Sequence, residues 1–489
     1  MKRISIRKDL LLFILISIIM SVYYLSMNPM YIFDTDDWQN VLPSRTILPE
    51  WGGWNPSKVL PENLFPLATI IAKVISPCFY GDIVTSASFV YVIICSTIIA
   101  LLIVTICKVI SKDSEISIIM GLFIFSALLI LFDKNDSNAN FVFSSLNVTC
   151  IFNYLIPNIY NMIIVLLLNY KVKDEGIFFL KGNYVKIGLL AIIIYLSVFS
   201  NLYSSIILIS YTCYQIFRSA MVYIRHKKTS PCIFLWLYII VLYLISIIFE
   251  YNGGRSAQVG NDNFLDNIIL SAKNAFFVLS QINTIILMLI IITNIVAIIF
   301  GLLRINKEKK YYYHFFELIF MCFAAEIILL AYYILLDAKA GIGHINEGST
   351  MMALYFYIIF MTAVSLSVLL EIIPSIKIVG PFLCILFISI FIKDINTVRY
   401  NNYNNLEPRI VRLIDYDMIE QLENAIALGQ SETQILIPLF KSSDNWPIAI
   451  YGSQRFSRAI YLYSDINRQI TVEFVPTEEK NKQYGIPIL

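Results

Sequence analysis

The sequence predicts a mainly α-helical, polytopic membrane protein with a small C-terminal α+β domain outside the membrane. Of its 489 residues 58% are hydrophobic and 14% are charged, and the mean hydropathy is +0.73. A soluble protein of this size does not need so much apolar surface. The apolar residues fall into separate runs of about 20, the length that crosses a bilayer. Residues 394–489 lack such runs, so we divide the chain into a membrane domain, 1–393, and a tail, 394–489.

Charge and cysteine usage exclude other classes. The net charge of +2 argues against a nucleic-acid partner, which would need a strongly basic surface. The eight cysteines lie in or beside apolar runs and read as small buried hydrophobes rather than a disulfide framework. The first apolar run, Leu10 to Met30, has no small-residue cleavage site, so we expect a retained helix and not a signal peptide.

Nine apolar runs are candidate transmembrane helices. They are 9–30, 83–107, 116–132, 146–169, 232–249, 282–303, 315–336, 351–370 and 377–393. A further run, 186–217, is too long for one span and is interrupted at Ser200-Asn201. We interpret it as two short helices that form a hairpin, which is tolerated where broken helices are buried in protein or line a cavity.

The basic residues of the loops decide the orientation. Lysines and arginines cluster at 2–8, 108–112, 171–181, 218–228 and 304–310. These clusters share the cytoplasmic side only if 186–217 contributes two spans. The sequence therefore predicts about 11 transmembrane helices, with the N-terminus inside and the C-terminus outside. The outer segments are then 31–82, 133–145, 250–281, 337–350 and the tail.

Two outer segments have the pattern of helices that lie on the membrane surface. Leu64 to Phe79 is apolar but short, and it contains two prolines. Segment 264–280 is amphipathic. Its apolar face comprises Leu265, Ile268, Ile269, Ala272, Phe276 and Leu279. The alternative, that each segment extends a neighbouring span, stays open.

The tail combines helical and strand patterns. Apolar residues recur every four positions from Ile410 to Ile426, which predicts an amphipathic helix. Four short β-like runs follow, separated by Ser-Asp-Asn and Gly-Ser turns. They are Thr433–Phe440, Ile448–Tyr451, Ala459–Tyr463 and Thr471–Val475.

The main chemical signal is an acidic cluster directly after the first span. Asp34, Asp36 and Asp37 lie within Phe33-Asp34-Thr35-Asp36-Asp37-Trp38. Neighbouring carboxylates raise one another's proton affinity, which suits a general base near neutral pH. An extended backbone would direct Asp34 and Asp36 to one side and Asp37 to the other. The alternative is a solvated helix C-terminus with Trp38 as an interface anchor.

Polar residues of other outer loops are candidate substrate ligands. The loop that contains Arg45, Trp54, Asn55 and Lys58 offers aromatic faces for a sugar and cations for a phosphate. A purely structural interface loop is the alternative.

Arg255 and His344 lie in outer loops where a lipid phosphate would be, although either residue could simply contact headgroups. Glu326 lies in the middle of the run 315–336. An intramembrane acid is a functional candidate by default, and a protonated carboxyl bonded to a neighbouring helix is the alternative.

These features resemble the GT-C class of glycosyltransferases. The shared elements are a first helix followed by an acidic motif in the first outer loop, many spans and interfacial helices. More narrowly, Asp36-Asp37-Trp38 and the tail motif Asn445-Trp446-Pro447 are similar to bacterial serotype-converting O-antigen glucosyltransferases.

The resemblance implies an inverting hexosyltransferase of the bacterial inner membrane that acts on the periplasmic face. The donor would be an undecaprenyl-phosphate-linked hexose, glucose in that subclass, and the acceptor would be an O-antigen or another cell-surface glycan. Asp36 or Asp37 would deprotonate the acceptor hydroxyl. Asp34, Arg45, Trp54, Asn55, Lys58, Arg255 and His344 would contact the substrates. No cofactor is expected, although three carboxylates could hold a divalent metal.

Two other functions stay open at this point. A lipid-linked glycan flippase or transporter would need polar groups near the membrane midplane. Glu326 and the break at Ser200-Asn201 are its support. An O-antigen polymerase would use arginines in large outer loops, and Arg255 is the available one.

Overall fold

The structure is a computed structural model that describes residues 2–110, 114–129, 131, 142–174, 184–227, 230, 232–254, 264–306, 309–340, 348–372 and 400–487. Its helices in the membrane domain are α1 (Lys2–Met27), α2 (Thr35–Asn40), α3 (Val59–Ile75), α4 (Ile83–Ile110), α5 (Ser114–Leu129), α6 (Val148–Cys150), α7 (Ile156–Asp174), α8 (Tyr184–Val198), α9 (Leu202–His226), α10 (Ile233–Tyr251), α11 (Phe264–Ser280), α12 (Thr284–Arg304), α13 (Lys309–Ala340) and α14 (Gly348–Ile372). A π-helical turn, Ile151–Leu155, joins α6 to α7.

The helical architecture of a membrane protein is confirmed. Among the described residues, eight helices are long and apolar enough to cross a bilayer, and two shorter helices, Ile116–Leu129 and Tyr184–Val198, are also apolar. Eight of the nine predicted runs fall on helices, while 377–393 lies outside the described residues. Helices such as α10 and α12 expose many isoleucines and leucines, as expected where a helix faces lipid. The number of spans and their orientation stay predictions.

The predicted break in 186–217 is confirmed. α8 ends at Val198 and α9 begins at Leu202. The side chain of Asn201 caps α9 by accepting a hydrogen bond of 2.9 Å from the backbone N–H of Tyr203. Asparagine is among the preferred N-cap residues because its side chain satisfies an N–H that the helix leaves unpaired.

The two segments predicted to lie on the membrane surface are both helical. α3 is longer than the predicted segment and, with the 3₁₀ turn Ser76–Phe79, reaches the length of a span. α11 packs on the protein through Ser271, Ala275 and Val278. Its predicted apolar face points away, since Leu265 and Phe276 are largely exposed. An apolar face without protein cover is what contact with lipid requires.

The tail is a small α+β unit. It contains α15 (Pro408–Ala427), β1 (Glu432–Pro438), α16 (Ser453–Tyr463), β2 (Thr471–Thr477) and α17 (Glu478–Tyr484). The predicted helix and the first and last predicted strands are confirmed. The two strands pair in parallel, with Glu432 opposite Thr471 and Pro438 opposite Thr477. A parallel pair needs a crossover connection, which α16 supplies.

The two middle strand predictions are wrong. Ile450–Gly452 forms a 3₁₀ turn, and Ala459–Tyr463 is the second half of α16. The residues of α16 that are buried, among them Phe456, Ile460 and Tyr463, recur every three to four positions. The sequence analysis missed this helical period because only the last turn of the helix is continuously apolar, and a short apolar run is also typical of a strand.

Loops distant in sequence meet the tail at one end of the helix bundle. Asn401 accepts a hydrogen bond of 3.1 Å from Ser145 N and donates its own backbone N–H to Asn28 Oδ1 at 2.9 Å. The backbone N–H of Leu60 donates to the carbonyl of Phe199 at 3.0 Å. We call this end, formed by residues 28–82, 142–149, 199–201 and 400–487, the loop end.

Thr35 links the first loop to the tail. Its hydroxyl donates to the carbonyl of Pro447 at 2.9 Å and accepts from the backbone N–H of Ala449 at 2.7 Å. Its own backbone N–H donates to the same Pro447 carbonyl. A Cβ added to Gly452 would lie 2.7 Å from Thr35 Cγ2, closer than carbon atoms approach. The tail is therefore packed on Thr35 without spare space.

We expect Gly452→Ala to loosen this contact. The added methyl overpacks the interface and should cost about 1–3 kcal/mol of stability. Thermal denaturation of the detergent-solubilised protein and limited proteolysis of the tail measure the effect. Gly188→Ala in α8 is the matched control, because nothing lies within 4 Å of its Cβ position. Equal behaviour of the two variants would contradict the tight contact.

Candidate active site

The acidic cluster forms the start of a helix, so the extended backbone that we expected from the sequence is wrong. Thr35–Asn40 forms α2, with Asp34 as its N-cap residue. The alternative of a helix C-terminus is wrong too, since Asp36 and Asp37 lie in the first turn. Acidic residues are favourable there because the N-terminus of a helix carries a partial positive charge. Within one turn the three carboxylates point in different directions.

Asp37 is fully buried and bonded to backbone. Its Oδ2 accepts from the N–H groups of Phe33 at 3.1 Å and Asp34 at 3.2 Å, and its Oδ1 accepts from Thr149 N at 2.6 Å. The first two bonds close the turn before α2, and the third holds the segment before α7. Asp36 and Asp37 were the two aspartates predicted as the base. Asp37 instead belongs to the framework of hydrogen bonds that holds the loops, and it does not line the cleft described below.

Asp34 is also fully buried. Its Oδ2 accepts a hydrogen bond of 2.8 Å from the amide of Asn147, whose Oδ1 in turn caps α6 through Cys150 N at 2.7 Å. Sequence analysis missed Asn147 and Thr149 as partners of the acidic cluster. The available signal was a short polar stretch between two apolar runs.

A polar cleft of about 370 Å³ opens beside the cluster at the loop end. Residues of the first loop, the α6–α7 segment and the tail line it together. They are Asp36, Gln39, Asn40, Ser44, Arg45, Glu50, Trp54, Asn55, Lys58, Glu62, Leu146, Asn147, Thr149, Cys150, Asn153, Tyr154, Tyr403 and Trp446. The cleft thus brings together Asp36, Arg45, Trp54, Asn55 and Lys58 of the predicted site.

Asp36 and Lys58 carry opposite charges into this cleft. Asp36 is the half-buried member of the acidic cluster. Lys58 is 8% exposed, and its ammonium lies 5.2 Å from the centre of the Tyr154 ring. No carboxylate of the described residues lies within ion-pair distance of Lys58. A cation kept from water without an ion-pair partner is a suitable site for an anionic ligand.

Arg45 lines the cleft, but its charge is used to hold the loop. The guanidinium forms an ion pair with Glu62 and donates to the carbonyls of Asn55 and Pro56. These bonds fix the turn immediately before Lys58. The geometry therefore makes Arg45 a residue that positions Lys58, and it leaves Lys58 as the cation for a substrate.

Glu250 fixes the same loop from α10. Its Oε1 accepts from the backbone N–H of Ser57 at 2.8 Å and from the Ser57 hydroxyl. The backbone N–H of Gly254 donates to the carbonyl of Gly53 at 2.9 Å. Sequence analysis gave Glu250 no role because it lies at the end of a span, where acids are common.

The tail contributes two aromatic rings to the cleft. Tyr403 and Trp446 pack edge to face, with ring centres 6.0 Å apart. Trp54, which is half exposed, lines the cleft from the first loop. No local pattern marks Tyr403 as a site residue, because its place depends on how the tail docks.

Of the other predicted residues, Asp34 and Asp37 are described but do not line the cleft. Arg255 and His344 lie outside the described residues. Glu326 lies in α13, and its Oε2 has no hydrogen-bond partner among the described residues. It does not line the cleft.

Burial changes the acidity of the carboxyls under the cleft. Desolvation raises the pKa of Asp34 well above its usual value, and the nearby Asp37 raises it further, while the Tyr403 backbone and Asn147 oppose the rise. Desolvation also raises the pKa of Asp37, against the effect of its N–H donors. Asp415 of α15 is buried as well, and its pKa is raised by desolvation and then by Asp37 and Asp82.

The described residues contain no group of three or more His, Cys, Asp or Glu side chains arranged to hold a metal ion. Within the acidic cluster the reason is geometric. Oδ2 of Asp34 is bonded to Asn147 and both oxygens of Asp37 are bonded to backbone N–H groups, whereas Asp36 lines the cleft.

We expect Asp37→Asn to destabilise the protein more than Asp36→Asn. An amide has one acceptor oxygen in place of two, so either the N–H group of Thr149 or those of Phe33 and Asp34 lose their partner, at a cost of about 1–3 kcal/mol for each buried group. Thermal denaturation of both purified variants measures the difference. A greater loss for Asp36→Asn would contradict the assignment of Asp37 to the framework.

Asp415 should make stability depend on pH. Because its folded pKa is raised, the stability it contributes is fully present below its ordinary pKa and is lost as the pH rises through the folded value. Asp415→Asn removes this loss. We therefore expect the melting temperature of the variant, relative to wild type, to rise from about pH 4 to about pH 8. A constant difference over this range would contradict the raised pKa.

Comparison of the chain with protein-family models, with curated proteins and with solved structures finds no match.

Proposed function

We propose that this protein is an integral-membrane hexosyltransferase of the GT-C type, in which Asp36 is the general base. The observation that carries the proposal is the polar cleft at the loop end, which Asp36 and the buried cation Lys58 both line. The donor would be a sugar, such as glucose, on undecaprenyl phosphate. The acceptor would be a hydroxyl of an O-antigen or another cell-surface glycan.

The other residues of the cleft suit a carbohydrate. Amide side chains line it, among them Gln39, Asn40, Asn55 and Asn153. Amides donate and accept hydrogen bonds, as sugar hydroxyls require. The aromatic rings that line the cleft can cover the apolar face of a pyranose. Apolar helices on the same bundle would keep a lipid-linked donor at the membrane rim.

The proposed reaction is a single displacement with inversion. Asp36 removes the proton of the acceptor hydroxyl as its oxygen forms a bond to the anomeric carbon. The bond from that carbon to the phosphate oxygen breaks, and undecaprenyl phosphate leaves with the electron pair. Lys58 offsets the charge that develops on the phosphate. Asp36 then releases its proton to solvent.

The proposed location is the bacterial inner membrane, with the loop end in the periplasm. Several described helices carry basic residues at the opposite end of the bundle, including Lys108 on α4, Arg225 on α9 and Arg304 on α12. Basic residues at the cytoplasmic ends of spans favour this orientation.

A transporter of lipid-linked glycans is the second candidate. The observation that favours it is Glu326, an acid within a predicted span whose Oε2 lacks a hydrogen-bond partner among the described residues. Intramembrane acids of this kind often belong to transport pathways.

We expect Asp36→Asn to abolish glycan modification while the protein inserts at normal levels. Loss of the base should lower transfer by about 100-fold or more.

Lys58→Met should lower kcat/KM for the donor by about 10-fold to 100-fold, because a phosphate loses its counter-charge. Mass spectrometry of the surface polysaccharide detects the added hexose, and a radiolabelled donor gives the rates.

Glu326→Gln separates the two candidate functions. The transferase proposal expects this variant to keep transfer activity in membranes supplied with donor and acceptor on the same side. If Glu326→Gln abolishes modification while Asp36→Asn and Lys58→Met retain it, the transferase proposal fails and the transporter gains support.

A further inference from the structure

We infer that Tyr403 and Trp446 form a carbohydrate subsite on the tail that binds the acceptor glycan and sets acceptor specificity. The inference rests on the proposed function and extends it by dividing the cleft into two parts. The ammonium of Lys58 and the ring of Tyr154 belong to the membrane domain, whereas the Tyr403–Trp446 pair belongs to the tail.

The exposure of the two rings suits a stacked ligand. Tyr403 is 49% exposed, and Trp446 is partly exposed. Both line a cleft that also contains Asp36. A partly exposed aromatic ring in a polar cleft can cover the C–H groups of a sugar while the hydroxyls bond to nearby amides.

The loop that carries Trp446 is held rigidly. The side chain of the buried Asn445 accepts from Phe440 N at 2.7 Å and donates to the carbonyls of Pro438 and Ile448, each at 3.0 Å. Asn445 adopts a φ of 65°, in the left-handed region that asparagine tolerates better than most residues. A binding residue on a fixed loop loses little conformational entropy when its ligand binds.

The same loop is fixed relative to the proposed base. Thr35, the residue before Asp36, binds both the carbonyl of Pro447 and the N–H of Ala449. The backbone of Tyr403 lies beside the carboxyl of Asp34, the residue before Thr35. Each ring is thus tied to a residue one or two positions from Asp36, so a sugar on the rings has a defined position relative to the base.

The chemistry of the pair points to the acceptor rather than the donor. A lipid phosphate needs a cation, and among the described residues that line the cleft the cation without an ion-pair partner is Lys58, on the membrane domain. Tyr403 and Trp446 lie on the tail, which has the composition of a water-exposed domain. A long, water-borne polysaccharide can approach the cleft from that side.

The test measures acceptor and donor kinetics separately in nanodiscs. The acceptor probe is polysaccharide purified from the host strain after deletion of this gene. We expect Trp446→Ala and Tyr403→Ala to raise KM for this acceptor about tenfold or more, with donor KM unchanged. Trp446→Phe should recover part of the affinity, since it keeps a ring. Tyr461→Ala, an exposed tyrosine on α16 outside the cleft, is the matched control.

Direct binding of the same polysaccharide to the full-length protein, by surface plasmon resonance, separates this inference from the proposed function. If the Asp36→Asn protein binds the polysaccharide and the Trp446→Ala protein does not, the subsite is supported, even if no protein transfers a hexose. If Trp446→Ala and Tyr403→Ala both transfer the hexose with an unchanged acceptor KM, the subsite is overturned and the transferase proposal stands. Wild-type protein that neither binds nor modifies the polysaccharide overturns both.

Discussion

The first turn of α2 is the constraint on which the loop end depends. Four consecutive residues connect three parts of the chain: Asp34 binds Asn147, Thr35 binds the tail, Asp36 faces the cleft and Asp37 binds Thr149. Because a helical turn spreads neighbouring side chains around its axis, adjacent residues can bind different partners. The same turn that closes the framework therefore also presents one carboxylate to the cleft.

This arrangement explains why three clustered aspartates need not act as one site. Asp34 and Asp37 are removed from water, and Oδ2 of Asp34 and both oxygens of Asp37 accept hydrogen bonds from N–H donors, so their role is to hold loops. Buried carboxyls of this kind are costly unless hydrogen-bonded, and each bond they make is correspondingly expensive to lose. Asp36 keeps access to the cleft. Lys58, the cation that lines the same cleft, is set in place by Arg45 and by Glu250 through Ser57.

Sequence reasoning found much of this site but could not separate its parts. The acidic cluster and the loop with Trp54, Asn55 and Lys58 were identified because charged and aromatic residues are conspicuous beside a membrane span. The roles of Asp37 and Arg45 were not identified, since their partners, Thr149 for Asp37 and Glu62 for Arg45, are chosen by packing. Tyr403 was missed entirely, and two strands were predicted where a 3₁₀ turn and the end of α16 lie.

The sequence by itself determined that the chain is a bundle of apolar helices with a break at Ser200-Asn201 and an α+β tail. These properties follow from the length of apolar runs, helical periodicity and capping residues, all of which act within a few turns of chain. Only the tertiary structure decided that the tail docks on Thr35, that α2 is helical, and which carboxylate faces the cleft. Those outcomes depend on contacts between residues more than 100 positions apart, such as Asp37 with Thr149 and Thr35 with Pro447, which no local pattern encodes.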